Sequence, residues 1–153
     1  MRAFQGRLQV PEKRRITEKL NEQFGISKLP YLLIRTVKER IRAFSGSLSK
    51  EEITILAQIT NIEIIGLYLL KEEKNNTFRL SLDATHILKD KISKNLIALD
   101  DQQTLLWLKG NDLNIPANRG VVILKQNNDF LGCGISTGEK ILNHVPKDRR
   151  LKK

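Results

Sequence analysis

A chain of 153 residues, 40% hydrophobic and 29% charged, is long enough to bury a core and too apolar to stay disordered, with room for one ordinary domain or two small ones. Its 27 Lys and Arg against 17 Asp and Glu leave a net charge of +10 and a pI of about 9.9, a balance suited to a polyanionic partner. One cysteine excludes an internal disulfide, no apolar run reaches the ~18 residues of a membrane span, and the first residues lack the apolar centre of a secretion signal, so no membrane partner and a cytoplasmic location are expected.

The charge is unevenly placed. Residues 1–50 carry 12 basic and 4 acidic residues, 51–100 carry 6 and 8, and 101–153 carry 9 and 5. The densest cluster closes the chain, where Lys147, Arg149, Arg150, Lys152 and Lys153 are opposed only by Asp148. Asn75-Asn76-Thr77 has the form of a glycosylation acceptor, but without a secretion route it reads as a turn.

In chain order, Pro11 suits a first helical turn, and Ile16, Leu20 and Phe24 follow at four-residue spacing on one face until Gly25. The run from Tyr31 to Ser45 fits two patterns. Leu33, Val37, Ile41 and Phe44 make a helical stripe, whereas Tyr31 to Val37 and Arg40 to Ser45 make two strands joined at Lys38-Glu39. Ser49 and Glu52 form a capping box, and Ile53, Leu56, Ala57 and Thr60 continue as a short amphipathic helix. Ile62 to Lys71 and Thr77 to Leu82 suggest a hairpin across the Asn-Asn turn. Asp83 can cap a helix of about two turns through Ile87 and Leu88, ending near Lys91.

A second unit starts around Lys91 to Lys94. Asn95 to Leu99 reads as a short strand, and Asp100 or Asp101 caps a helix with Leu105, Leu106 and Leu108 inward, terminated by Gly110. Gly120 to Lys125 and Phe130 to Ser136 are strands about a turn at Gln126 to Asp129. Short strands crowded with glycine and turn residues around one helix indicate a compact barrel-like module, after a first part that is α/β.

At these residues a resemblance becomes visible. Phe78-Arg79-Leu80, the helix ending Trp107-Leu108-Lys109-Gly110-Asn111, Gly120-Val121-Val122 and Leu131-Gly132-Cys133-Gly134 occur in the order found in the Nip-seven family of PUA-containing ribosome-biogenesis proteins, which the chain resembles over most of its length. The stretch Asn143-His144-Val145-Pro146-Lys147-Asp148-Arg149-Arg150 is similar to the ending of the PUA-like tails of Sun-type (Fmu) RNA cytosine-C5 methyltransferases. The resemblance implies an α+β protein, with a small α/β pre-PUA domain over residues 1–90 and a PUA domain over 91–153, the latter a mixed β pseudo-barrel with one or two short helices and a basic tail. It also implies paired strands between Tyr31 and Ser45. The implied partner is RNA, rRNA or tRNA, together with a ribosome-assembly factor or an RNA-modifying enzyme.

Catalytic chemistry has little to stand on in the sequence. A cytosine-C5 methyltransferase needs a nucleophilic Cys, and Cys133 lies inside a strand between glycines, where a small buried hydrophobe is expected. Gly132, Gly134 and Gly138 mimic part of a dinucleotide fingerprint but lack the helix that must follow it, so they are assigned to bulges or close approach in the barrel. His86 and His144 do not make a zinc site with Cys133, the Asp100-Asp101 and Glu51-Glu52 pairs suit helix starts, and Trp107 suits the core. No enzyme activity, metal or cofactor is therefore expected.

The expected RNA contacts are Lys109, Lys140, Asn143, Lys147, Arg149, Arg150, Lys152 and Lys153, with Gly138 and Asn143 turning the chain so that the cations converge on one edge of the barrel. Such a patch neutralises phosphates and sets register without reading bases. The expected function is a targeting or assembly module in rRNA processing or RNA modification. The alternatives are an accessory subunit or remnant of an RNA cytosine-C5 methyltransferase and a basic adaptor for acidic proteins. Lys13-Arg14-Arg15 is either the solvated face of the first helix or a second contact surface.

Overall fold

In a computed structural model, which describes residues 10–36, 38–62 and 64–152, the chain folds into two four-stranded sheets flanked by short helices. Helix α1 spans Val10–Phe24 and buries Ile16, Leu20 and Phe24 completely, as their spacing predicts. Gly25 ends it at a φ of +81°, a conformation that costs glycine little.

The ambiguous stretch after α1 is a hairpin, β1 (Leu32–Arg35) against β2 (Arg40–Phe44). Arg35 pairs with Ile41 and the Thr36 N–H donates to the Arg40 carbonyl at 2.9 Å, so the strands close through a short loop in which Lys38 and Glu39 both take positive φ, near +60°. Helix α2 (Lys50–Ile59) starts at the capping box of Ser49 and Glu52. Of its apolar stripe only Ile53 is buried; Ile55 and Leu56 stay exposed and Ile59 is 78% exposed. Strand β3 (Leu67–Glu73) begins later than the apolar run at Ile62, and β4 (Thr77–Leu80) returns beside it after a turn in which Asn75 and Asn76 take positive φ. The four strands form an antiparallel sheet in the order β1-β2-β3-β4.

Helix α3 (Leu82–Ile87) is capped by Ser81, not by Asp83 as its sequence suggests. The Ser81 hydroxyl accepts from the Ala84 N–H at 3.1 Å and donates to the Tyr68 carbonyl at 2.6 Å, so one side chain both starts the helix and ties it to β3. A single 3-10 turn at Lys89–Lys91 leads to the second sheet. The junction is stitched to the end of α1. The Ser93 N–H donates to the Phe24 carbonyl at 2.8 Å, and the Asn95 amide donates to the Gln23 carbonyl at 2.5 Å.

The second sheet has β5 (Leu96–Ala98) parallel to β6 (Gly120–Gln126), followed by antiparallel β7 (Asp129–Ser136) and β8 (Ile141–Asn143). Helix α4 (Asp101–Leu108) is capped by Asp100 in a box with Gln103. Its inward residues are Thr104 and Trp107, three apart on one face, whereas Leu105 and Leu106 point outward and are 47% and 42% exposed. Two turns of helix offer only one such stripe, and the bulkiest ring takes it.

Alternation along β6 joins the two sheets. Val121 and Ile123, with Phe130 and Cys133 of β7, pack into the same apolar cluster as Ile16, Phe24, Leu70, Phe78 and Leu88. Val122, Leu124 and Leu131 face the other way, onto Trp107, Leu113, Ile141 and Val145. The second sheet thus shares one core with the first and completes a smaller one of its own.

Candidate nucleic-acid interface

The basic tail packs on the end of α4. Gly110, at a φ of +93°, leaves room for Arg150 to lie across it; a Cβ there would come within 2.6 Å of the Arg150 Cδ. The Arg150 Nε–H donates to the Val145 carbonyl at 3.0 Å, and the Leu151 N–H donates to the Leu108 carbonyl at 2.8 Å. This stretch is anchored through backbone and side chain alike.

Asn143 is the pivot of this anchorage. Its side-chain amide donates to the carbonyls of Trp107 at 2.8 Å and Asn111 at 2.9 Å, while its Oδ1 accepts from the Val145 N–H at 2.8 Å. Asn143 therefore shapes the edge, with both amide donors engaged inside the fold.

The expected cations divide between two places. Lys109, Lys147 and Lys152 are exposed, and the Lys140 ammonium lies 3.9 Å from Asp112, whose carboxylate also accepts from the Asn143 N–H at 2.8 Å. Arg150 sits beside Lys109 but is partly committed to holding the tail. Arg149 departs from the edge altogether. It turns toward the first unit, where its Nη1 donates to both carboxylate oxygens of Asp83 at 3.1 and 3.2 Å. Lys153 lies outside the described residues.

Following Arg149 leads to a cleft that the sequence reading did not find. Residues 144–146 and Arg149 of the tail, the 131–133 segment of β7, and residues of β3, β4 and the start of α3 line an open cleft of about 100 Å³. A register shift builds its wall. Ile41 pairs with Leu70 but Arg42 pairs with Tyr68, so Leu69 is an extra residue, and the bulge sends both Leu69 and Leu70 to the core while placing Tyr68 on the outer face. Cross-strand register puts Arg40, Arg42, Lys71 and Arg79 on that same face. The Arg40 guanidinium lies over the Tyr68 ring at 4.9 Å.

Electrostatics and burial set the state of the rings. Burial pushes the Tyr68 phenol up, so it stays protonated at neutral pH. His144 is pushed below its ordinary value, first by burial and then by the cations Arg79 and Lys71, so it stands in the cleft as a neutral imidazole with one donor and one acceptor. Arg79 gives its Nε–H to Glu73 at 2.8 Å. The signal for this face was present as cations at alternate strand positions, Arg40-x-Arg42, but only pairing shows that Lys71 and Arg79 join them.

The other candidates resolve into structure. Cys133 is buried and its thiol is pushed up to about 12 by desolvation, which keeps it protonated and unreactive. A Cβ at Gly134 would come within 2.5 Å of Ile141 and 2.7 Å of Trp107, so this glycine serves close packing. Trp107 is fully buried, with its indole N–H donating to the Leu131 carbonyl at 2.8 Å. Lys13 donates to the Tyr31 carbonyl and Arg15, itself partly exposed, to Glu72 and Asn76, while Arg14, paired with Glu18, is the most exposed of the three. His86 is exposed. Among the described residues no cluster of three His, Cys, Asp or Glu could hold a metal ion, and no helix is long and apolar enough to cross a membrane.

Residues 94–151 match the family model described as the PUA domain of the methyltransferase RsmF. The match covers β5 to the basic tail, the second sheet with α4, and supports a PUA domain there that is related to the tails of Sun-type methyltransferases. PUA domains are RNA-binding domains, so RNA binding in general is supported. No curated protein matches the chain.

Proposed function

We propose that the chain is a non-catalytic, cytoplasmic RNA-binding module that serves rRNA processing or RNA modification and leaves chemistry to a partner. The carrying observation is the PUA match over residues 94–151, in which Lys109, Lys140 and Lys147 are exposed, with Lys152 exposed just beyond it. Lys109, Lys140, Lys147 and Lys152 contact phosphates; Asn143 and Arg150 hold the tail from which Lys147 and Lys152 project. The resemblance of the first unit to the pre-PUA part of the Nip-seven family supports ribosome assembly as the setting.

Titration of a single-stranded oligoribonucleotide at several salt concentrations tests this. Neutralising four phosphates gives a log–log slope of about −3. The variant with Lys109, Lys140, Lys147 and Lys152 all changed to Glu is expected to lose most affinity and flatten the slope. Wild-type affinity and slope in that variant would remove the edge from the RNA site.

A second reading is favoured by the matched domain being that of a methyltransferase: the chain acts beside a separate catalytic methyltransferase chain. The buried, protonated Cys133 could not supply the nucleophile itself. Co-purification of a catalytic methyltransferase with the tagged protein would favour this reading over the first.

A further inference from the structure

The cleft between the first sheet and the tail lies apart from the cationic edge at α4, and its chemistry differs from that edge. It combines two half-buried rings, Tyr68 and His144, with apolar side chains such as Leu82 and Val145 and with guanidinium groups. A phosphate site would need only the cations. A flat group with apolar faces and a polar rim needs both, and a base unstacked from a single strand is such a group.

We infer that this cleft receives one unstacked base of a bound single-stranded RNA, stacked on Tyr68 with its polar edge toward His144, while Lys71 and Arg79 take the adjoining phosphate. The inference rests on the RNA-binding reading and names what that RNA does at a second place. The Arg40 guanidinium, 4.9 Å from the Tyr68 ring centroid, helps keep the ring in place by a cation–π contact, while Tyr68 also lines the cleft. The Nη groups of Arg79 have no partner among the described residues, so they can fork onto phosphate oxygens while Nε stays with Glu73. Arg149 and Asp83 cross the cleft as a half-exposed ion pair, which contributes little and can open for the ligand. Gly132, at a φ of +87°, brings β7 backbone close beneath Leu82 and forms part of the lining without a side chain. His144 lines the cleft between Asn143 and Val145, whose hydrogen bonds order the backbone of this part of the tail.

The probe is an oligouridylate of twelve nucleotides carrying single 4-thiouridines, irradiated on the wild-type protein and mapped by peptide mass spectrometry. A cross-link is expected on the peptide that carries Tyr68, besides any on the tail, to which His144 belongs. In parallel, Tyr68→Leu is expected to weaken binding about tenfold without altering the salt slope, because stacking carries no counterion release. Tyr68→Phe, which keeps the ring, is expected to bind like the wild type. Lys71→Gln is expected to lower the slope by about 0.7. Cross-links confined to the tail would overturn the inference, whatever the variants do to folding. So would wild-type affinity in Tyr68→Leu, or capture of an acidic protein by this face with no RNA cross-link on it. Loss of binding in the Lys-to-Glu edge variant with no effect of Tyr68→Leu would leave the edge reading standing and sink only the cleft. Failure of the wild-type protein to bind any RNA would sink both.

Discussion

Asn143 stands in the candidate binding stretch and holds that stretch to the fold. In the sequence it stands among basic residues and looks like a contact. In the fold, its amide closes the open end of α4 by accepting nothing there and donating twice, to Trp107 and Asn111. Asn143→Ala removes both of these bonds and the one from the Val145 N–H, while the Trp107 carbonyl keeps the Gly110 N–H, so a cost of about 1–3 kcal/mol is expected in urea unfolding. Its effect on RNA affinity should follow the loosening of the tail. Asn143→Ala that unfolds like the wild type but loses RNA binding would support the contact role. Cys133 illustrates the opposite case, a residue whose sequence context already identified it: flanked by glycines in an apolar run, it is a small buried hydrophobe.

At the scale of elements, caps and turns carried most of the reliable signal, because they depend on groups within three or four residues. Both capping boxes, Ser49 with Glu52 and Asp100 with Gln103, form as hydrogen-bonded pairs. The start of α3 is instructive because two residues could cap it. Ser81→Ala should cost about 1–2 kcal/mol, since it removes the cap and the tie to Tyr68 together. Asp83→Ala removes only an exposed pair with Arg149 and is expected to cost under about 1 kcal/mol. Equal losses in thermal or urea unfolding would mean that Asp83 supports the helix in its own right. The Leu69 bulge lies at the same scale, yet nothing local announces it. A strand reading from sequence assumes strict alternation, which would have buried Tyr68 and exposed Leu69.

For the molecule as a whole, the shared core is the decisive feature. One face of β6 and β7 is finished only by the first sheet, since Val121, Ile123, Phe130 and Cys133 pack with α1, β3 and β4. Residues 94–153 produced alone would expose that face. The full chain is therefore expected to unfold in one transition, with Trp107 fluorescence and far-UV circular dichroism changing together at the same urea concentration. Two separated transitions would show that the PUA unit holds its fold without the first sheet.

The sequence by itself determined the α1 stripe, the capping box of Ser49 and Glu52, the Asn-Asn turn, the PUA-like motifs of the second unit, and the excess positive charge at the two ends. These features are written in spacings of two to four residues, or in composition, and such short-range relations survive in one dimension. Tertiary structure alone decided which cations meet. It placed Arg149 on Asp83, engaged Asn143 and Arg150 in anchoring the tail, and used a one-residue bulge to bring Tyr68 onto the face of Arg40, Lys71 and Arg79, where His144 arrives from more than sixty residues further along the chain. Juxtaposition across that distance depends on strand register and on burial of the shared core, and neither has a local signature.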